Sequence, residues 1–83
     1  MVDNTAQRIK MIIAKEFGLK PKSVTNQTQF MSNPNFSYFC CLDALYTLQH
    51  KFRVELPESD YDQYKTVGSL TRCIVNQLKS RSK

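Results

Sequence analysis

The stretch SYFCCLDALYTLQHKF, residues 37–52, decides the fold of this 83-residue chain, because its apolar side chains recur at helical spacing. On a helical wheel they form one stripe, which consists of Cys41, Ala44, Leu45, Leu48 and Phe52. We therefore predict a helix from about Ser37 to Arg53, with this stripe facing the core.

The segment before this stretch predicts another helix and a long loop. The apolar stripe of the first helix consists of Ile9, Ile12, Ile13 and Phe17. The candidates for its N-cap are Asp3, Asn4 and Thr5. Gly18 is placed to end it, and residues 18–36 are then rich in turn formers. The residues that we expect to anchor this loop to the core are Leu19, Val24 and Phe30.

The last third of the chain predicts a short helical turn and then a third main helix. Tyr61 and Tyr64 should pack inward from the turn, and Thr66 can cap the last helix. The inner stripe of that helix consists of Val67, Leu70, Thr71, Ile74 and Leu78. We predict one all-α domain, a small bundle of three main helices plus one short helix with a long first loop. Its core should span about residues 5–78, before a frayed basic tail at 79–83.

The composition argues against several classes of protein. The net charge is +5, but the basic residues are spread along the chain, so binding to nucleic acid or an anionic membrane is a minor alternative. Three Cys, two of them adjacent, suit neither a disulfide framework nor a zinc site, and no apolar run is long enough to span a membrane. His50 is the only His and has no Ser or Cys partner at a catalytic spacing. We expect a cytoplasmic protein that binds no metal and no nucleic acid and is not an enzyme.

The outer face of the second helix carries more apolar surface than an exposed helix needs. Phe39, Leu42 and Tyr46 lie along it, and Asp43 and His50 flank them. Such a row indicates a docking surface for another protein. The alternative is that the long loop folds over these side chains.

Four stretches, in this order and spacing, resemble the acyl carrier protein family. They are RIKMIIAKEFGL at 8–19, SVTNQTQF at 23–30, LDALYTLQHKFRVELP at 42–57 and TVGSL at 66–70. The resemblance covers nearly the whole chain and implies an acyl-carrier-like bundle. In that family, the serine of an Asp-Ser-Leu motif at the start of the second helix carries a phosphopantetheine arm, whose thiol holds acyl groups as thioesters.

The chain departs from the family at this motif. Counted without gaps from Phe30 or Phe52, the Asp position falls on Ser37, the Ser position on Tyr38 and the Leu position on Phe39. A tyrosine cannot simply replace the serine, because a phenol differs from a primary hydroxyl in reach, bulk and acidity. Ser37 is then either the N-cap of the helix, worth about 1 kcal/mol, or the attachment site, which requires that the start of the helix slips by one residue.

The resemblance also implies where partners dock. The family's apolar partner contacts fall on Phe39, Leu42 and Tyr46, whereas its later acidic run is replaced here by Gln49, His50 and Lys51. We therefore expect no cofactor, and an adaptor or subunit that binds a protein, such as an acyl-chain-processing enzyme. The residues assigned to that contact are Tyr38, Phe39, Leu42, Asp43, Tyr46 and His50. The main alternative is a divergent carrier loaded with phosphopantetheine at Ser37 for a specialised lipid or polyketide pathway. A minor one is direct acylation of Cys40.

Overall fold

The computed structural model describes residues 4–81, with side chains for residues 4–80, and contains the three main helices that the periodicity predicts. They are α1 (Thr5–Phe17), α2 (Tyr38–Phe52) and α3 (Val67–Arg81). Two short 3-10 helices lie in the connections, η1 (Pro21–Ser23) and η2 (Glu58–Tyr64). The predicted all-α bundle is confirmed. Strand-like pairing in the described residues amounts to one bridge, between Gln29 and Thr66.

Local sequence explains where the helices start and stop. Gly18 ends α1 with a φ of 66°, in the left-handed region that glycine tolerates. Arg53 ends α2 in the same region, with a φ of 55°. Thr66 caps α3 as predicted, because its Oγ1 accepts a hydrogen bond of 3.1 Å from the backbone N–H of Ser69. Asn4 holds the N-cap position of α1, without a side-chain capping bond.

The core forms where the apolar stripes of the three main helices meet. The predicted stripe of α2 is confirmed, since all five of its residues are buried. The buried residues of the other two helices are Ile9, Ile13, Ala14, Val67, Leu70, Thr71 and Ile74. Three further predicted stripe residues pack against this cluster but stay partly exposed: Ile12, Phe17 and Leu78.

The first loop is anchored by aromatic rings. Val24 and Phe30 are buried as predicted, but Leu19 is 37% exposed, so its assignment as an anchor was wrong. Phe36 supplies the missing contact, because its ring stacks on Phe17 with the centroids 3.9 Å apart. Phe30 meets Phe17 edge to face, at 6.1 Å. Two rings of the loop therefore contact Phe17 of α1.

Backbone hydrogen bonds tie the same loop to the start of α3. The N–H of Phe30 donates to the carbonyl of Lys65 at 2.6 Å, and the N–H of Gly68 donates to the carbonyl of Asn26 at 2.9 Å. A Cβ at Gly68 would lie 2.9 Å from that carbonyl oxygen, which explains the glycine in the first turn of a helix. The long loop thus has a defined path and delivers the chain to the start of α2.

The segment η2 is less regular than a helix. Tyr64 is buried, and its hydroxyl donates to the carbonyl of Pro57 at 3.1 Å. Burial raises the pKa of the Tyr64 phenol to about 12, with a smaller contribution from Asp60. Tyr61 does not pack inward as predicted but is 52% exposed. The physical reason is a kink at Asp60, whose φ of −96° and ψ of 23° break η2 into two turns just before Tyr61.

The chain ends also differ from expectation. The helix α3 includes Lys79, Ser80 and Arg81, so the tail expected at 79–83 is helical through Arg81. Asp3, one of the proposed caps, and residues 82–83 lie outside the described residues. None of the helices in residues 4–81 combines the length and the apolar character needed to cross a membrane.

Candidate functional site

The start of α2 is where the family motif would lie. Ser37 holds the N-cap position in an extended conformation, with φ −60° and ψ 138°, and its side chain is exposed. Its carbonyl accepts the N–H of Cys41 at 2.9 Å. Its side chain makes no capping hydrogen bond, so the expected side-chain cap is wrong although the cap position is right. The backbone carbonyl, rather than the hydroxyl, joins Ser37 to the helix.

Tyr38 is the first residue of α2, and it is 48% exposed. Its phenol donates a hydrogen bond to Glu58 Oε2, and Glu58 is the first residue of η2. Its ring also contacts that of Phe39 edge to face, with the centroids 6.1 Å apart. The phenol therefore connects the starts of α2 and η2. Glu58 was not predicted from the sequence, because nothing in the spacing of residues 38 and 58 signals this pairing.

The outer face of α2 is open to solvent. Phe39 is 75% exposed and Tyr46 is 71% exposed, so the loop does not cover them and that alternative was wrong. Leu42 differs from these two, since it is partly buried against the core. Asp43 and His50 are exposed on the same helix. The row expected from the helical wheel is therefore two exposed aromatic rings with a half-buried leucine between them.

A groove of about 240 Å³ runs beside Tyr46, between α2 and the segment that leads into η2. It is lined by Leu42, Leu45, Tyr46, Gln49, Leu56, Pro57 and Glu58. On the side opposite α2, amide side chains form hydrogen bonds with the backbone of Glu55 and Leu56. The N–H of Leu56 donates to Gln49 Oε1 at 3.1 Å, and Gln77 bonds both backbone groups of Glu55, at 2.9 and 2.6 Å. The groove is therefore bounded by backbone in a fixed position, and sequence reasoning did not predict it.

The two adjacent cysteines have different environments. Cys41 is buried, and its thiol donates to the carbonyl of Phe30 at 3.5 Å. Burial raises the pKa of the Cys41 thiol to about 11, and the neighbouring Cys40 adds to the shift. Cys40 is exposed, and all three cysteines are free thiols. Within the described residues, no three His, Cys, Asp or Glu side chains gather as they would around a metal ion.

These features define a small helical bundle whose second helix presents its first turn and outer face to solvent. The chain is 30% identical over 66 residues to the acyl carrier protein of Chlamydia muridarum, a match that spans 80% of this chain and 86% of the relative. It is 25% identical over 79 residues to that of Borreliella burgdorferi, across 95% and 94% of the two chains. It is 27% identical over 73 residues to that of Chlamydia caviae, across 88% and 90%. The chain belongs to the acyl carrier protein family.

No protein-family model matches the chain. The relatives nevertheless confirm the resemblance seen in the sequence, and they span most of its length. They are named as carriers rather than as enzymes.

Proposed function

We propose that this acyl-carrier-like protein works without a phosphopantetheine arm and acts as an adaptor or subunit that binds another protein through α2. The observation that carries the proposal is Tyr38. It is the first residue of α2, at the place where the family's motif has its serine, and its phenol is hydrogen bonded to Glu58.

The alignment register supports this reading of Tyr38. The register is counted from Phe30 on one side and from Phe52 on the other, with no gap. Phe30 is fully buried, and Phe52 is 7% exposed, so both reference positions are core residues. A shift of one residue between them would turn a buried side chain of α2 toward solvent, because successive residues on a helix point about 100° apart.

The chemistry of the Tyr38 side chain argues against loading. Transfer of the arm joins a hydroxyl oxygen to the phosphorus of coenzyme A and breaks the pyrophosphate bond, which releases adenosine 3′,5′-bisphosphate. The phenol of Tyr38 is a bulkier group than a serine hydroxymethyl, and it already donates a hydrogen bond to Glu58. The residues present therefore do not fit the arm at the position where the register puts it.

The exposed face of α2 supports the docking role. Phe39 and Tyr46 present two largely exposed rings, and aromatic side chains are frequent anchors of protein interfaces. Leu42 and the groove beside Tyr46 offer an apolar recess to a partner's side chain. We infer that Tyr38, Asp43 and His50 border this contact, in which an acyl-chain-processing enzyme is one candidate partner.

The charge of this face indicates the partner's chemistry. The later acidic run of the family falls here on Gln49, His50 and Lys51, and Arg53 follows at the end of α2. Opposite charges across an interface increase the association rate and the specificity. We therefore propose a partner that combines apolar groups with some acidic groups.

The free thiols are in keeping with a cytoplasmic location.

One observation favours a second candidate function, a divergent carrier loaded at Ser37 for a specialised lipid or polyketide pathway. Ser37 has a primary hydroxyl, it is exposed, and its side chain is not engaged in a cap. It lies one residue before the motif position, so a transferase would have to accept a hydroxyl at the N-cap rather than in the first turn.

Intact mass spectrometry tests the two functions. The protein is incubated with coenzyme A and a broad-range phosphopantetheinyl transferase, beside the variants Ser37→Ala and Tyr38→Ser. We expect no mass gain for the natural chain and a gain of one arm for Tyr38→Ser, which restores a primary hydroxyl at the motif position. A gain in the natural chain that disappears in Ser37→Ala would replace the adaptor proposal with the carrier.

A binding measurement tests the docking face separately. Once a partner is captured, its affinity for Phe39→Ala and Tyr46→Ala should fall by about 2 kcal/mol or more each. Tyr61→Ala is the matched control, because Tyr61 is also a half-exposed tyrosine but lies in η2. An equal loss in all three variants would assign the effect to general surface changes and not to α2.

A further inference from the structure

A second groove lies between α1 and α2, apart from the outer face of α2. It has a volume of about 330 Å³. It is lined by Met11, Ile12, Lys15, Glu16, Thr47 and Lys51. None of these residues is Tyr38, Phe39, Leu42, Asp43, Tyr46 or His50, and Lys51 is the one that also contributes to the charge of α2 considered above. An occupant of this groove would therefore not compete for Phe39 or Tyr46.

The floor of this α1–α2 groove is apolar and accessible. Met11 is 52% exposed, and Ile12 packs partly against the core. A methionine side chain is flexible and polarizable, and it adapts to the shape of an incoming group. The hydroxyl of Thr47 donates to the carbonyl of Asp43 at 3.1 Å, so this polar group already has a partner. The floor therefore favours apolar side chains.

The rim of the groove is predominantly basic. Lys15 comes from α1 and Lys51 from α2, and both are exposed. Glu16 is the one carboxylate among the lining residues. Two ammonium groups around an apolar floor attract an occupant that carries acidic groups beside its apolar ones, and they repel a basic one.

The openness of the groove favours a helix over a small molecule. Small-molecule sites bury about 70–90% of the ligand, whereas here Met11, Lys15, Glu16 and Lys51 are all exposed. A trough between two helices instead accepts a third helix, whose apolar side chains at i and i+4 enter it.

We propose that the α1–α2 groove binds an acidic amphipathic helix of a partner protein. The apolar stripe of that helix contacts Met11 and Ile12, and its flanking carboxylates pair with Lys15 and Lys51. This site uses neither the arm nor the exposed rings of α2. An experiment can therefore refute the proposed function without refuting this site, and the reverse.

Two synthetic helical peptides with the same leucine stripe, one flanked by Glu and one by Lys, are the probes. Backbone amide shifts of the full chain are recorded by NMR during each titration. We expect the Glu peptide to shift the amides of Met11, Ile12, Thr47 and Lys51, and the Lys peptide to leave them unchanged. The double variant Lys15→Glu with Lys51→Glu should bind the Glu peptide at least about tenfold more weakly.

The control is Lys22→Glu with Lys79→Glu, which changes the net charge equally at two exposed lysines outside the groove. Equal weakening in both double variants would overturn the site. So would shifts confined to the outer face of α2, or no shift with the Glu peptide. Vesicles of phosphatidylserine and phosphatidylcholine are the third probe in these titrations. Groove shifts with these vesicles, but not with the Glu peptide, would replace the partner helix with a membrane surface.

Discussion

Truncating Phe39 to Ala should leave the fold nearly as stable as it is. The side chain is 75% exposed, in the first turn of α2, and its ring touches that of Tyr38 edge to face. Phe30 is the natural comparison, because it has the same side chain but is fully buried, as an anchor of the first loop. The two substitutions remove identical atoms, so the difference between them measures burial once the helix propensity that only Phe39→Ala gains is allowed for.

The expected cost follows from the buried area. A fully buried aromatic side chain hides about 150–250 Å², and roughly a quarter of that is hidden at Phe39. At about 25 cal/mol per Å², the loss is about 1–1.5 kcal/mol, and it is an upper value because unfolded chains already bury some surface. The higher helix propensity of alanine offsets about 0.5 kcal/mol of this loss of stability. We therefore expect a net loss of about 1 kcal/mol or less for Phe39→Ala, against about 3–5 kcal/mol for Phe30→Ala.

Urea denaturation followed by circular dichroism measures both free energies of unfolding. The slope with denaturant should be the same in the natural chain and in Phe39→Ala, since neither native state changes its compactness. A loss of more than about 2.5 kcal/mol in Phe39→Ala would contradict the reasoning, because it would require a largely buried ring. The outer face of α2 would then be core, and the docking proposal would lose its basis.

Three further predictions concern the caps, the close contact at α3 and the buried thiol. Replacing Ser37 with Ala should cost less than about 0.5 kcal/mol, whereas Thr66→Ala should cost about 1 kcal/mol, because only Thr66 makes a side-chain cap. Gly68→Ala should destabilise the fold despite its gain in helix propensity, since the new Cβ would lie 2.9 Å from the carbonyl oxygen of Asn26. The free energy of unfolding should fall as the pH rises from 9.0 to about 11, because the pKa of the Cys41 thiol is raised over that range. Over this range the unfolded chain loses its thiol proton before the folded chain does. The free energy of unfolding therefore falls by up to about 1.4 kcal/mol per pH unit.

The same urea titrations check these predictions. Equal costs for Ser37→Ala and Thr66→Ala would show that Ser37 caps α2 through its side chain after all. A stabilised Gly68→Ala would mean that the loop gives way without cost. The pH slope should be shallower in Cys41→Ala. A smaller change is expected in Cys40→Ser, because Cys40 contributes the lesser part of the rise in the Cys41 pKa. An unchanged slope in Cys41→Ala would assign the loss at high pH to Tyr64, whose pKa burial raises to about 12, and to Cys73, whose thiol pKa burial also raises.

The sequence predicted the helices well, because periodic apolar residues and end signals act locally. The stripe of α2, the stop at Gly18 and the cap at Thr66 were all correct. The details of the candidate site depend instead on contacts between distant segments. The bond from Tyr38 to Glu58 joins residues 20 positions apart, and no spacing rule predicts it.

The family fold and the family reaction depend on different side chains, and this separation allows one to persist without the other. Phe30 and Phe52 are buried and hold the register of the bundle, whereas Ser37, Tyr38 and Phe39 are exposed at its surface. Substitutions at exposed positions usually change stability by less than about 0.5 kcal/mol, so a change at the proposed attachment position leaves the core intact. For the same reason, Tyr38→Ser should fold like the natural chain. A difference in arm loading between these two proteins therefore reports the chemistry at residue 38 and not a difference in folding.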